Sequence, residues 1–282
     1  MEKWPVGVFA SIDAGLGVKL EVARDLGITT VQLHTPAKRS RTPENATAFL
    51  AKLSEYGIQV TCVFLGFEGE TYETIAKTAE SIGFVPAATR AARLAEAEEI
   101  ADFAKLLGVD AIGCHIGFVP HDTASGDYKA MVEAIRALCG HLEKNGQRLH
   151  LETGQEKAEH LLAFIQDVGC GNLFINFDPA NLILYGMGDP IGSLKKVGAY
   201  VKSVHCKDAL ATKGTPGVDW GSEVPFGTGQ VDAERFLTTL KEIGFDGPLT
   251  IEREIPEEPA RQKEEISQAL DLIHSIEDKL FR

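Results

Sequence analysis

The chain has no long apolar run, few basic residues and no paired cysteines, and each shortage removes a class of function. No stretch of about 18 apolar residues occurs, so no segment is expected to span a bilayer. The apolar run within Met1 to Ala10 is too short for a signal peptide. Lys and Arg number 28 against 41 Asp and Glu, and the resulting net charge of -13 opposes binding to a nucleic acid or an anionic membrane. The five cysteines, Cys62, Cys114, Cys139, Cys170 and Cys206, form no Cys-x-x-Cys pair, which favours reduced thiols in a cytoplasmic protein. A glycine-rich phosphate loop is lacking as well, since Asp13-Ala14-Gly15-Leu16-Gly17 has the wrong spacing. What is present is ordinary globular material, 44% hydrophobic and 24% charged over 282 residues, enough for one large α/β domain.

A repeat runs through the chain: a helix-like segment, a glycine-marked turn, then a β-rich run. The turns fall at Gly27, Gly57, Gly108, Gly146, Gly169, Gly198 and Gly244. Glycine is favoured just past a helix because it adopts the left-handed conformation without strain. With 6–10 as the first strand, the others are predicted at 28–34, 58–65, 109–116, 147–152, 173–178, 201–206 and 248–253. Between them, Ala97, Ile100, Phe103 or Ala104, and Leu107 recur at helical spacing, as do Ile266, Leu270, Ile273 and Ile276 or Glu277 near the end. Thr42-Pro43 and Asp189-Pro190 read as N-caps followed by proline, and Asp232 as the cap of a helix running to Ile243. Eight β-then-α units predict an α/β fold, a (β/α)8 TIM barrel in a single domain over 1–282, with its active site at the C-terminal strand ends. A doubly wound open sheet is the alternative. Two long loops on that face, 66–89 and 209–230, are expected to carry function, the second as a lid.

Four predicted strands end in chemistry that packing does not explain. Phe174-Ile175-Asn176-Phe177-Asp178-Pro179 is an apolar strand closing on a carboxylate, and a lone buried carboxylate needs a cation. Leu149-His150-Leu151-Glu152, Val201-Lys202-Ser203-Val204-His205 and Leu249-Thr250-Ile251-Glu252 end alike. In a barrel these ends share one mouth. Period-two alternation turns Glu152, Asp178, His205 and Glu252 inward while Leu151, Phe177, Val204 and Ile251 face the helices. Two Glu, one Asp and one His suit a single divalent metal, Mn²⁺ first, with Mg²⁺, Co²⁺, Fe²⁺ or Zn²⁺ also compatible. Beside such a metal, Glu152 and Glu252 are the candidate catalytic pair: one removes a proton next to a carbonyl, giving an enediolate, and the other returns it. Either glutamate as a ligand alone is the simpler alternative.

The runs His150-Leu151-Glu152-Thr153-Gly154-Gln155-Glu156, Asn176-Phe177-Asp178-Pro179-Ala180-Asn181-Leu182, Val204-His205-Cys206-Lys207-Asp208 and Pro248-Leu249-Thr250-Ile251-Glu252-Arg253-Glu254 closely resemble the sugar phosphate isomerase/epimerase family. This is the xylose isomerase-like TIM-barrel superfamily that includes tagatose 3-epimerase, inosose dehydratase and hydroxypyruvate isomerase. The resemblance covers nearly the whole chain. It implies one metal on Glu152, Asp178, His205 and Glu252, proton transfer by the two glutamates, and a sugar or sugar derivative as the small-molecule partner. Elimination on the same site is the competing reaction, and sugar binding without turnover is a different class. Two departures stand out: Asn181 replaces the histidine usual three positions after the metal aspartate, and Ala158 replaces a second glutamate, leaving Gln155 or Glu156 nearest to its place. The superfamily also contains endonuclease IV, which uses three zincs and additional histidines, and His34 and His115, ending the second and fourth strands, resemble two of them. Asn181 lacks its imidazole, no Asp-x-His pair follows His205, and the acidic chain would repel DNA.

Substrate contacts are assigned to His115, Gln155, Asn181, Lys207 and Trp220. For His115 a hydrogen-bonded core role is equally open, and for Lys207 a salt bridge to Asp208 or Glu254. Trp220 either stacks on a sugar face or covers the mouth. His150, one layer below Glu152, is expected to support the metal shell. His141, His160 and His274 read as helix-surface residues, and Arg253 as a structural residue facing the helices. Self-association into a homo-oligomer is left open.

Overall fold

The computed structural model describes residues 2–13, 17–255 and 258–282, so most of the glycine stretch at 14–16 lies outside the described residues. Eight strands form the barrel: β1 (Val6–Ser11), β2 (Thr30–His34), β3 (Gln59–Phe64), β4 (Ala111–Cys114), β5 (Arg148–Glu152), β6 (Leu173–Phe177), β7 (Val201–Cys206) and β8 (Leu249–Ile251). Each pairs in parallel with the next. β8 then returns to β1, Val6 opposite Leu249 and Val8 opposite Ile251, and the ring closes. Closure excludes the open doubly wound sheet. Among the described residues, no helix is long and apolar enough to cross a membrane. All five cysteines are unbridged.

The glycine turns work as expected at six positions: Gly27, Gly57, Gly108, Gly146, Gly169 and Gly244 all have φ between 66° and 74°. Gly198 is the exception. Its φ is -50°, and it opens a short 3-10 turn, Gly198–Tyr200, that carries the chain into β7. Its reason is packing, because an added Cβ would stand 3.1–3.3 Å from the Ile243 side chain. The helix caps hold: Thr42, Asp189 and Asp232 each accept from a backbone N–H in the first turn. Asp232 does so at φ 61°, outside the range most residues tolerate.

Strand parity separates two apolar regions. Val8, Val31, Val63, Leu151, Phe177, Val204 and Ile251 belong to the large core between strands and helices. Phe9, Cys62, Phe64 and Ala111 form a small cluster of their own inside the barrel. Gly113 makes room there, since a Cβ would fall 2.4–2.6 Å from the Phe64 ring. Phe64 and Phe9 in turn lie with ring centroids 5.3 and 5.7 Å from His205. This plug forms the floor on which the polar strand ends stand.

Both long loops carry structure of their own. The 66–89 segment contains the helix Ile75–Ser81. The 209–230 segment folds back as an antiparallel pair, Asp208–Leu210 against Ser222–Val224. Asp208 anchors it: its buried carboxylate accepts from the backbone N–H groups of Ala209, Gly227, Gly229 and Val231. Four such bonds satisfy an ionised carboxylate without a cation. Asp208 is therefore committed to the loop, and the expected alternative pair with Lys207 does not form.

Candidate metal centre and its cavity

Glu152 ends β5, Asp178 follows β6, His205 lies in the last turn of alternation of β7, and Glu252 follows β8. One ligand atom from each lies within 4.8 Å of all the others. His205 Nδ1 stands 2.6 Å from Glu152 Oε1, 2.9 Å from Glu252 Oε2 and 3.5 Å from Asp178 Oδ2. Glu152 Oε1, Asp178 Oδ2 and His205 Nδ1 are buried and make no well-formed hydrogen bond. Buried polar atoms are seldom left so.

The far side of Asp178, Glu152 and His205 is tied down. Asp178 caps the short helix Pro179–Leu184, with Oδ1 accepting from Asn181 N at 2.9 Å, so only Oδ2 faces the centre. Thr153 fixes the same residue, its hydroxyl bonding both the N–H and the C=O of Asp178. Glu152 Oε2 accepts from His115 Nε2 at 2.7 Å. Gln155 donates to His115 Nδ1 at 2.8 Å, which leaves the ring proton on Nε2 for Glu152. His205 Nε2 meets Gln32 Oε1 at 2.7 Å, and Gln32 gives its amide to Asn176 at 3.2 Å. An acceptor at Nε2 places the proton there and turns the Nδ1 lone pair toward the carboxylates.

Without a cation, the carboxylates draw a second proton onto His205 Nδ1, where an ion would otherwise sit. Burial works to lower the His205 pKa, but Glu252 and Glu152 overcome it and hold the value well above normal. Burial likewise raises Glu152, yet His115 and His205 bring it down to about 2. Asp178, with burial dominant, is pushed up to about 6. Three carboxylates in so little space favour a cation strongly. Three oxygens and one imidazole nitrogen meeting at one point, three of these atoms without a well-formed hydrogen bond, fit a divalent ion of the Mn²⁺ or Mg²⁺ kind.

Above the centre opens a cavity of about 460 Å³, with Glu152 and Glu252 in its wall. His115, Asn181, Lys207 and Trp220 also line it. Gln155 does not: it is buried behind His115 and acts through that ring. Glu156 is turned away too, its Oε1 accepting from Val119 N at 2.9 Å. Neither takes the place of the missing second glutamate at the cavity. Gly154, at φ 148°, passes between them and the wall, where a Cβ would lie 2.6 Å from that of Asn181. The Thr153-Gly154-Gln155 run thus has one task per residue: fix Asp178, clear Asn181, orient His115.

Other expectations change. His150 bonds Ser203 Oγ at 2.8 Å rather than a metal carboxylate, and burial lowers it to about 3, so it is a neutral interior residue. Arg253 reaches Glu265 of the last helix at 2.6 Å, as a structural residue should, and also Glu223 of the 209–230 loop at 2.7 Å. Lys207 meets Glu254 at 2.7 Å and Glu252 at 3.3 Å. Tyr72, Tyr185 and Glu223 were not singled out from sequence, and each lines the cavity. Gln32 was missed as well, although an amide within Thr30-Val31-Gln32-Leu33-His34 carries the same signal as Asp178, a polar group at interior parity in an apolar strand. Replacing Gln32 with Leu is expected to weaken Mn²⁺ binding roughly 10–100-fold, the usual effect of removing a partner that orients a ligand. Manganese titration of the two proteins checks this.

The sequence pattern of the xylose isomerase-like TIM barrel family matches residues 20–276. A xylose isomerase domain protein from Planctomyces limnophilus is 55% identical, with 99% of each chain covered and a TM-score of 0.96. A xylose isomerase-like TIM barrel protein from Mycobacterium smegmatis, solved in complex with magnesium, is 19% identical, with 98% and 99% covered and a TM-score of 0.70. D-psicose 3-epimerase from Clostridium cellulolyticum H10 is 17% identical, with 91% and 92% covered and a TM-score of 0.68. An uncharacterised protein of Methanocaldococcus jannaschii is 27% identical over 117 residues, which span 41% of this chain and 38% of that protein.

Proposed function

The chain belongs to the xylose isomerase-like TIM barrel family, and from that premise we propose that it is a divalent-metal-dependent isomerase or epimerase of a sugar or sugar derivative. One observation carries the reading: two ionisable glutamates from opposite sides of His205, Glu152 and Glu252, reach the same cavity wall beside a cation-ready cluster. Glu152, Asp178, His205 and Glu252 would hold the ion, with Mn²⁺ favoured. When bound, it supplies positive charge that makes a C–H next to a carbonyl more acidic.

The protein's own groups account for the rest. One glutamate takes the proton from carbon and the other delivers it, to the opposite face or to the neighbouring carbon. His115 holds Glu152 through its Nε2–H, and Lys207 does the same for Glu252. Trp220 and Tyr185, in edge contact at 4.8 Å, offer an aromatic wall to the apolar face of a sugar. The Trp220 Nε1–H is buried without a hydrogen-bond partner. Glu70, Glu223 and Glu254 join the two catalytic candidates around the cavity, and the Lys207 charge is already matched by Glu254, Glu252 and Glu223. Such a lining favours an uncharged sugar over a phosphorylated one.

Elimination is the second reading, and one feature favours it. A further cavity of about 480 Å³ adjoins the first and shares His34, Gly66 and Glu70 with it. That leaves room for a departing group beyond the ring whose carbon is deprotonated. Incubation with Mn²⁺ in D₂O and a panel of ketoses, inososes and 3-keto-glycosides separates the cases. Deuterium incorporation into recovered or isomerised sugar supports the first reading. An unsaturated product supports the second, and neither exchange nor an unsaturated product with any of the sugars refutes both.

A further inference from the structure

Outside the strand-end centre, a second set of metal-ligating groups meets on the same face of the barrel. His121 lies in the loop after β4, Glu156 in the loop after β5, and His160 in the first turn of the helix Ala158–Val168. Their ligand atoms all lie within 4.8 Å of one another. Among the described residues these three and the strand-end four are the groups so arranged.

Both imidazoles converge on one carboxylate oxygen, His121 within hydrogen-bond reach, at separations compatible with shared coordination. His121 Nε2 is 3.3 Å and His160 Nδ1 is 3.7 Å from the same oxygen, Glu156 Oε2. Elsewhere in this protein His–carboxylate pairs close to 2.7 Å at His115–Glu152 and 2.8 Å at His141–Asp102. Ligands about 2.0–2.2 Å from a tetrahedral ion stand about 3.3–3.6 Å apart. The other carboxylate oxygen is occupied by Val119 N, which fixes Oε2 in its outward direction. Glu156 is 6% exposed, so the carboxylate is a built wall and not a flexible surface group. The two imidazoles face each other with centroids 4.3 Å apart, their side chains 68% and 47% exposed.

We propose that His121, Glu156 and His160 form a second metal site, distinct from the strand-end centre, which binds a borderline transition metal of the Zn²⁺ type and leaves its remaining position to water. Two imidazoles and one carboxylate select such an ion over Mg²⁺, whose preference is for oxygen. The ion ties the 117–125 loop to the helix behind β5. Glu156 is the neighbour of Gln155, so the same ion steadies the residue that orients His115.

Equilibrium dialysis of the metal-stripped full chain against zinc chloride tests this without any turnover. The unaltered protein is expected to hold one more equivalent of zinc than either His121→Ala or His160→Ala, while all three bind Mn²⁺ equally at the strand-end centre. Both substitutions remove exposed side chains, so folding is not at risk. An equal zinc count in the unaltered protein and either variant overturns the site. With the strand-end centre first filled by Mn²⁺, a visible absorption band of four-coordinate Co²⁺ that is equally strong in the unaltered and His160→Ala proteins overturns it independently.

Discussion

Glutamine at position 152 or 252 is expected to lower deuterium exchange into substrate by roughly 10²–10⁴-fold, the range for loss of a positioned acid or base. The substitution keeps shape and one coordinating oxygen but removes the charge and the proton site. Because both residues also belong to the metal cluster, the rate must be read at saturating Mn²⁺, alongside the metal affinity. Retained metal with lost exchange assigns the glutamate to proton transfer. Loss of both in parallel assigns it to ligation alone. A wild-type rate in either variant would end the two-glutamate mechanism. Glu152 offers the sharper case, since its pKa of about 2 leaves it ionised at any working pH, and its Oε2 is already fixed by His115.

The barrel and the four converging side chains are legible in the sequence because both follow local rules. A strand's parity decides which side chains enter the barrel, and a glycine after each helix marks where the next strand begins. Gly198 shows the limit: it stands in the right place for the wrong reason, and only its contact with Ile243 explains it. The polar network was harder to read because its partners are distant in the chain. Gln32 and His205 are 173 residues apart, and Gln155 finds His115 from 40 residues away. Asp208 misled for a related cause. Its neighbour Lys207 invited a local pair, whereas its partners are backbone groups up to 23 residues downstream. His160 reads as plain helix surface until the loop carrying His121 is laid across it.

Lys207→Met is expected to have the second largest effect, and it separates two roles that sequence left open. The side chain is 4% exposed, with Nζ 2.7 Å from Glu254, 3.3 Å from Glu252 and 3.9 Å from Glu223. Burial works to lower its pKa, but those carboxylates keep it well above normal, so the ammonium is retained. Removing it leaves Glu252 buried without its main counter-charge, and breaking such a pair costs about 3–5 kcal/mol. In the unaltered protein burial raises the Glu252 pKa, while Lys207 and His205 outweigh it and hold the group far below 4.5. The stability from this carboxylate is therefore complete above pH 4.5 and lost only as pH falls through the depressed folded value. Without Lys207 the folded value rises, and that acid loss moves upward in pH. Urea unfolding between neutral and acid pH should show the shift, and the acid limb of turnover should follow it. If Lys207 served only to grip substrate, KM would rise while the acid limb and the unfolding curve stayed where they are. The geometry favours the first outcome, because the Glu254 and Glu252 contacts already take the ammonium before any sugar enters.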